Sequence, residues 1–158
     1  MVANKLDARR LVFVDEMGAN TSLAPIYAWA TKGQRAYSKV PRNRGPNITL
    51  LASMTTKGMG PCVAVVGSIT RAVFEAYVEQ VLSATLKSGQ VVVMDNLSVH
   101  KGSRVRELIE SKGCELLYLP PYSPDFNPIE EAFSKIEALL RRARARIRER
   151  WWKPSVGR

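Results

Sequence analysis

The chain has 158 residues, 46% of them hydrophobic and 24% charged, which fits one globular domain and excludes wholesale disorder. No apolar run approaches the roughly 18 residues that a membrane-crossing helix needs, and the polar stretch Met1 to Arg10 lacks the apolar core of a signal peptide. The formal net charge of +10 is unevenly placed: residues 141–158 carry eight Lys/Arg against one Glu, and no acid occurs from Met17 to Phe74. Such clustering suits a polyanion as well as a solvated surface. The two cysteines, Cys62 and Cys114, are too few for a disulfide scaffold and lack metal-ligand spacing, so a reduced cytosolic protein is expected.

Taken in chain order, Leu11-Val12-Phe13-Val14 is apolar on both faces, the pattern of a buried central strand that ends at Asp15. Ile26 to Tyr37 is a second β-rich region with Lys32-Gly33 as its turn. Ile48 to Thr55 and Cys62 to Val66 flank Lys57-Gly58-Met59-Gly60 and predict a hairpin. Ser68 or Thr70 is a candidate cap for a helix reaching Leu86, with Val73, Phe74, Tyr77, Val81 and Leu82 on its apolar face. Val91-Val92-Val93-Met94 is another fully apolar strand, again followed by aspartate, Asp95. A helix over Ser103 to Ser111, a strand over Cys114 to Leu119 and the Pro-rich loop Pro120 to Pro128 come next.

The last helix carries the clearest stripe, Ile129, Ala132, Phe133, Ile136, Leu139 and Leu140, with Asn127 suited to its N-cap and Pro128 to its first position. The element order predicts a mixed α/β domain. The helix before Val91 permits a crossover that lays that strand parallel to the first.

Two matched buried strands that both end in aspartate bring two carboxylates to one sheet edge, where open α/β sheets bind ligands. Close like charges repel unless a cation neutralises them, and an all-oxygen set favours Mg²⁺ or Mn²⁺ over zinc. A third acid is wanted, and the start of the last helix offers Glu130 and Glu131. Periodicity leaves these two nearly equal. Glu130 has a competing role as the partner of Asn127 in a capping box.

Val-Asp-Glu (14–16), Val-Met-Asp-Asn-Leu-Ser-Val-His-Lys (93–101) and Leu-Pro-Pro-Tyr-Ser-Pro-Asp-Phe-Asn-Pro-Ile-Glu-Glu (119–131) resemble the catalytic core of mariner/Tc-type insertion-sequence transposases. These belong to the DDE superfamily, and the resemblance covers about residues 10–145. It implies a ribonuclease-H-like mixed sheet with flanking helices. The 34 residues between Asp95 and Glu130 match the interval of that family and select Glu130 over Glu131.

By the same resemblance, Asp15, Asp95 and Glu130 are the catalytic acids and hold two divalent ions, Mg²⁺ or Mn²⁺. Two such ions stabilise the attacking and leaving oxygens of an in-line displacement. The implied reaction is cutting of double-stranded DNA at transposon ends, followed by joining to target DNA. Asn96, His100 and Asn127 are expected to support the acids or touch substrate.

Lys32, Arg35, Arg42 and Arg44, together with Arg141, Arg142, Arg144 and Arg146, are candidate phosphate contacts. Trp29 and Tyr122 are read as packed rather than base-stacking, and Cys62 and Cys114 as core. Trp151-Trp152 reads equally as docking surface or frayed end. The expected division is an N-terminal extension over 1–10, a catalytic domain over 11–140 and a basic end over 141–158. Only about ten residues precede the first strand, so recognition of element ends is expected from a separately encoded helix-turn-helix protein. A homo-oligomer acting at the prokaryotic nucleoid, without membrane association, completes the expectation. Two rivals remain: an inert remnant that only binds nucleic acid, and a structure-selective nuclease of similar fold that cuts without joining.

Overall fold

The hydrogen-bond partners of Leu11–Ala19 (β1) set the architecture. Its first four residues pair in parallel with Val91–Met94 (β4), from Leu11 beside Val91 to Val14 beside Met94. Its other edge pairs antiparallel with Ile48–Thr55 (β2), from Phe13 opposite Met54 to Ala19 opposite Ile48. Gly58–Val66 (β3) pairs antiparallel with β2, and Glu115–Tyr118 (β5) lies parallel to β4. The sheet order is β3-β2-β1-β4-β5. The computed structural model describes residues 7–20, 22–24, 26–37, 39, 45–121 and 126–143.

Helices cover both faces. Val12 and Val14 of β1 enter one core with Phe74 and Tyr77 of Arg71–Tyr77 (α1) and with Val105 and Ile109 of Ser103–Glu110 (α2). Met17 and Ala19 of the same strand enter a second core with Ile129 and Phe133 of Ile129–Ala143 (α3). This is the period-two alternation of a strand covered on both sides. All four residues of β4 are buried, as its uninterrupted apolar run predicts. Among the described residues no helix is long and apolar enough to cross a membrane.

Several expectations are corrected. β1 does not stop before Asp15 but runs to Ala19, because β2 continues to pair with it beyond the point where β4 ends. Ile26 to Tyr37 forms no strand: no sheet edge meets it, and only its turn survives, with Gln34 N bonded to Thr31 O at 2.9 Å and Gly33 at φ +86°. Trp29 is fully exposed rather than packed. Thr70 does cap α1 through Val73 N, but regular α-helix ends at Tyr77, and a π-helical turn over Val78–Leu82 closes before Leu86. There Thr85 returns both its amide and its hydroxyl to Leu82 O, which terminates the helix. The hairpin turns at Thr56-Lys57, so β3 begins at Gly58, well before Cys62. Cys62 is exposed on that edge strand, whereas Cys114 is core. In α3, Leu139 faces solvent while Ile129 and Phe133 carry the packing.

Candidate functional site

Register alone sets two carboxylates side by side. Val14 and Met94 form the last rung of the parallel ladder, so Asp15 and Asp95 follow at the same level of adjacent strands. Asp15 lies on the face of β1 that meets α3, and it is buried. Its Oδ1 accepts from Glu16 N at 2.7 Å and its Oδ2 from Asn127 Nδ2 at 2.7 Å. Burial pushes the Asp15 carboxyl up to about 6; the Glu16 amide opposes this shift, and the charges of Asp95 and Glu130 reinforce it.

Asp95 leaves β4 and accepts from Leu97 N at 3.4 Å. His100 lies in the 3₁₀ turn Ser98–His100, fully buried, with Nδ1 against Asp95 Oδ1 in a contact that is not a directed hydrogen bond. Its ring centroid is 4.2 Å from that of Phe74, and its carbonyl accepts from Tyr118 OH at 2.7 Å. His100 is thus a wedge behind Asp95, with no exposure to substrate. Asn96 is half-buried and does not line the cleft.

The third acid arrives on the first turn of α3. Asp15, Asp95 and Glu130 line one open cleft of about 340 Å³, together with Glu16, Phe133, Ser134 and Glu137. Glu131 is outside it and pairs with Lys135 at 3.5 Å. The competing capping box does not form: the Asn127 amide is turned onto Asp15, its Oδ1 is buried without a partner, and only its backbone carbonyl meets Glu130 N, at 3.2 Å. Among the described residues, no three Asp, Glu, His or Cys side chains close into a ready-made metal cage. The acids line an open wall instead.

Sequence reasoning passed over Glu16, Ser134 and Glu137. Glu16 falls on the opposite face of β1 from Asp15, yet it reaches the cleft; burial pushes its carboxyl up, and Oε2 has no partner. Ser134 and Glu137 stand four and seven residues after Glu130, the spacing of one helix face, and that signal was available.

The candidate phosphate contacts are dispersed. Lys32 and Arg35 are exposed on the connection between β1 and β2, and Arg142 is exposed near the end of α3. Arg141 is not presented to a ligand: its guanidinium is bonded to Glu137 Oε1 at 2.5 Å and to Ala24 O at 3.3 Å. Arg42, Arg44, Arg144 and Arg146 lie outside the described residues, as do Tyr122, Trp151 and Trp152.

Residues 10–150 match the family model described as DDE superfamily endonuclease. A curated relative, the Tcb1 transposase of Caenorhabditis briggsae, is 29% identical over 108 residues, which is 66% of this chain and 40% of the relative. Its nematode source gives no support to the prokaryotic setting expected above. Among solved structures, the Mos1 transposase paired-end complex with left transposon end superposes with a TM-score of 0.71 at 21% identity, over 86% of this chain and 43% of that one. The Mos1 mariner paired-end complex with Mn gives 0.64 at 20% identity, over 86% and 44%. These likenesses place the fold with the ribonuclease-H-like catalytic domain of Mos1. The chain spans about two fifths of the length of the relatives it matches.

Proposed function

We propose, because the chain belongs to the DDE superfamily endonuclease family, that Asp15, Asp95 and Glu130 are the catalytic acids of a DNA-cutting and DNA-joining site of the mariner/Tc1 transposase type. The observation that carries this reading is their meeting in one cleft, two from adjacent parallel strands and one from the first turn of α3. The donor set fits a divalent metal. It consists of oxygen alone, and the charges of Asp95 and Glu130 act against that of Asp15, which a cation in the cleft would relieve.

The chain's own residues supply the positioning. Glu16 N and Asn127 Nδ2 each hold one oxygen of Asp15, which fixes the plane of its carboxylate. At Asp95, among the described residues, only Oδ1 is held, by Leu97 N, with the buried His100 ring packed behind it. Ile129 and Phe133 seat α3 in its core and so fix where Glu130 stands. Two ions of Mg²⁺ or Mn²⁺, when bound there, would neutralise the attacking and leaving oxygens of an in-line phosphodiester displacement. Water is the first nucleophile and a 3′-hydroxyl the second, so the same cleft would serve cutting and joining. No covalent protein intermediate is needed.

Double-stranded DNA is the proposed substrate. The Mos1 structures include a paired-end complex with left transposon end and a strand transfer complex, which supports that choice. A second copy of this chain and a separately encoded helix-turn-helix protein are the proposed partners, with residues 11–140 as the catalytic unit. The test uses the purified chain and supercoiled plasmid with Mn²⁺ or Mg²⁺, beside a calorimetric Mn²⁺ titration. We expect metal-dependent nicking and Mn²⁺ binding in the wild type, and neither in Asp95→Asn. Mn²⁺ binding that survives unchanged in both Asp95→Asn and Glu130→Gln would overturn the assignment. A labelled oligonucleotide with a free 3′-hydroxyl reports joining, which separates a transposase from a nuclease that only cuts.

A further inference from the structure

The connection that follows β1 leaves the sheet at the edge where the acids stand, four residues beyond Asp15 on the same strand, or about 13 Å along it. Its base is anchored. Leu23 is buried beside Ile129 and Phe133, and Ala24 O accepts from Arg141, so the segment is tied to the helix that carries Glu130.

Past that base the chain changes character. From Ile26 to Tyr37 it has no strand or helix, and Tyr27, Trp29 and Tyr37 are 90%, 102% and 90% exposed. Three aromatic rings within eleven residues thus stand almost wholly in water, an exposure that calls for a counterpart. Lys32 and Arg35 stand exposed among them.

The composition narrows the counterpart. No acid occurs from Met17 to Phe74, so the arm offers cations and rings with nothing to repel a phosphate. Aromatic rings stack on any base, and a positively charged groove tracks the backbone; together they are the pattern of sequence-tolerant binding to unpaired strands. Bases inside an intact duplex are already stacked on their neighbours, so the rings gain most from bases that are not.

We propose that the 26–37 arm is a stacking platform for unpaired bases of the DNA strand that enters the acidic cleft, with Trp29 as its principal ring. This rests on the reading of that cleft as a DNA-processing site. The arm grips the strand beside the cut, Lys32 and Arg35 meet its phosphates, and Tyr27 and Tyr37 offer further rings.

The test compares a fully paired duplex with the same duplex carrying a single-stranded flap, by fluorescence anisotropy at fixed salt. Trp29→Ala should weaken flap binding about 5- to 150-fold while leaving the duplex little changed, the loss of one stacked base. Trp29→Phe should keep most of the affinity, because a π-face remains. Circular dichroism should be unaltered, since Trp29 is fully exposed. Equal losses on both DNAs, or none, overturn the proposal. So does a Trp29→Ala variant whose only change is a lower oligomeric state by ultracentrifugation, which would make the arm a protein interface. Plasmid nicking by the wild type is measured in parallel. Nicking with no Trp29 effect sinks the arm alone, and flap-selective loss without any nicking sinks the cleavage reading alone.

Discussion

β1 supplies both an acid of the cleft and the stem of the exposed arm, and the two regions are stabilised in opposite ways. Asp15 is paired with β2 on one side and follows the last rung with β4 on the other, and each of its carboxylate oxygens has its own donor. In the arm, among the described residues, one turn bond and an anchored base hold a segment whose largest side chains touch solvent. The difference follows from what each must hold. Like charges in a part-buried cleft separate unless the chain around them is over-determined. A stacking surface needs no such restraint, because the ligand supplies the missing packing.

The largest effect expected is in the cleft. Glu130→Gln should lower metal-dependent cleavage by at least about a thousandfold, equivalent to roughly 4 kcal/mol in the barrier. Glu131→Gln should leave most of it, because that carboxylate is paired with Lys135 outside the cleft. Single-turnover nicking of the two variants makes the comparison, and the reverse ranking would break it.

The second effect is on stability without metal. The Asp15 carboxyl is held up at about 6 by burial, then by its acidic neighbours, against an ordinary 3.8. The folded state therefore binds its proton more tightly than the unfolded state does. The stability this contributes is complete below about pH 4 and is lost as pH rises through about 6, to a total of about 3 kcal/mol. Thermal melts in chelator from pH 4 to 7 should show that decline in the wild type. Asp15→Asn should flatten it and stabilise the metal-free protein at pH 7. A decline of the same size in both proteins would show that Asp15 does not carry the strain.

The strands that frame the site were legible because their apolar runs are unambiguous: Val91–Met94 is buried at every residue, and Val12 and Val14 sit where the pattern puts them. The length of β1 was not legible. Asp15-Glu16 reads as an exit from a strand, and only the antiparallel partner β2 keeps it in the sheet. Asn127 misled for a related reason. Its local sequence suits a cap, but a buried carboxylate 112 residues away makes a stronger claim on its amide. Periodicity could not separate Glu130 from Glu131, since both flank the apolar stripe; the position of the cleft relative to α3 does. The arm was misjudged because β-forming residues become a strand only where an edge accepts them.

A smaller effect probes the restraint on Asp15 itself. Asn127→Ala removes the donor to Oδ2 and leaves the carboxylate free to turn about its bond to Glu16 N. Loss of a partner to a metal-holding group typically costs about 10- to 100-fold, and cleavage should fall by that much while Mn²⁺ binding weakens in proportion. Asn127→Asp should be worse than Ala, because it sets a further negative charge directly against Asp15. Equal rates for wild type and Asn127→Ala would mean that the ladders alone hold Asp15 in place.

The smallest effect separates cations that face a ligand from one that serves the fold. Lys32 and Arg35 are exposed on the arm, whereas Arg141 is committed to Glu137 and to Ala24 O at its base. If the first two meet phosphates, each alanine substitution should flatten the dependence of log K on log salt by about 0.9, alike on all DNA sequences. Arg141→Ala should leave that slope unchanged, because its charge is already neutralised by Glu137, one turn earlier on the same helix face. It should instead loosen the stem of the arm, which limited proteolysis after Arg35 would report as faster cleavage. A salt slope that falls with Arg141→Ala and not with Lys32→Ala would invert the assignment, making the helix end the phosphate contact and the arm a surface for something uncharged.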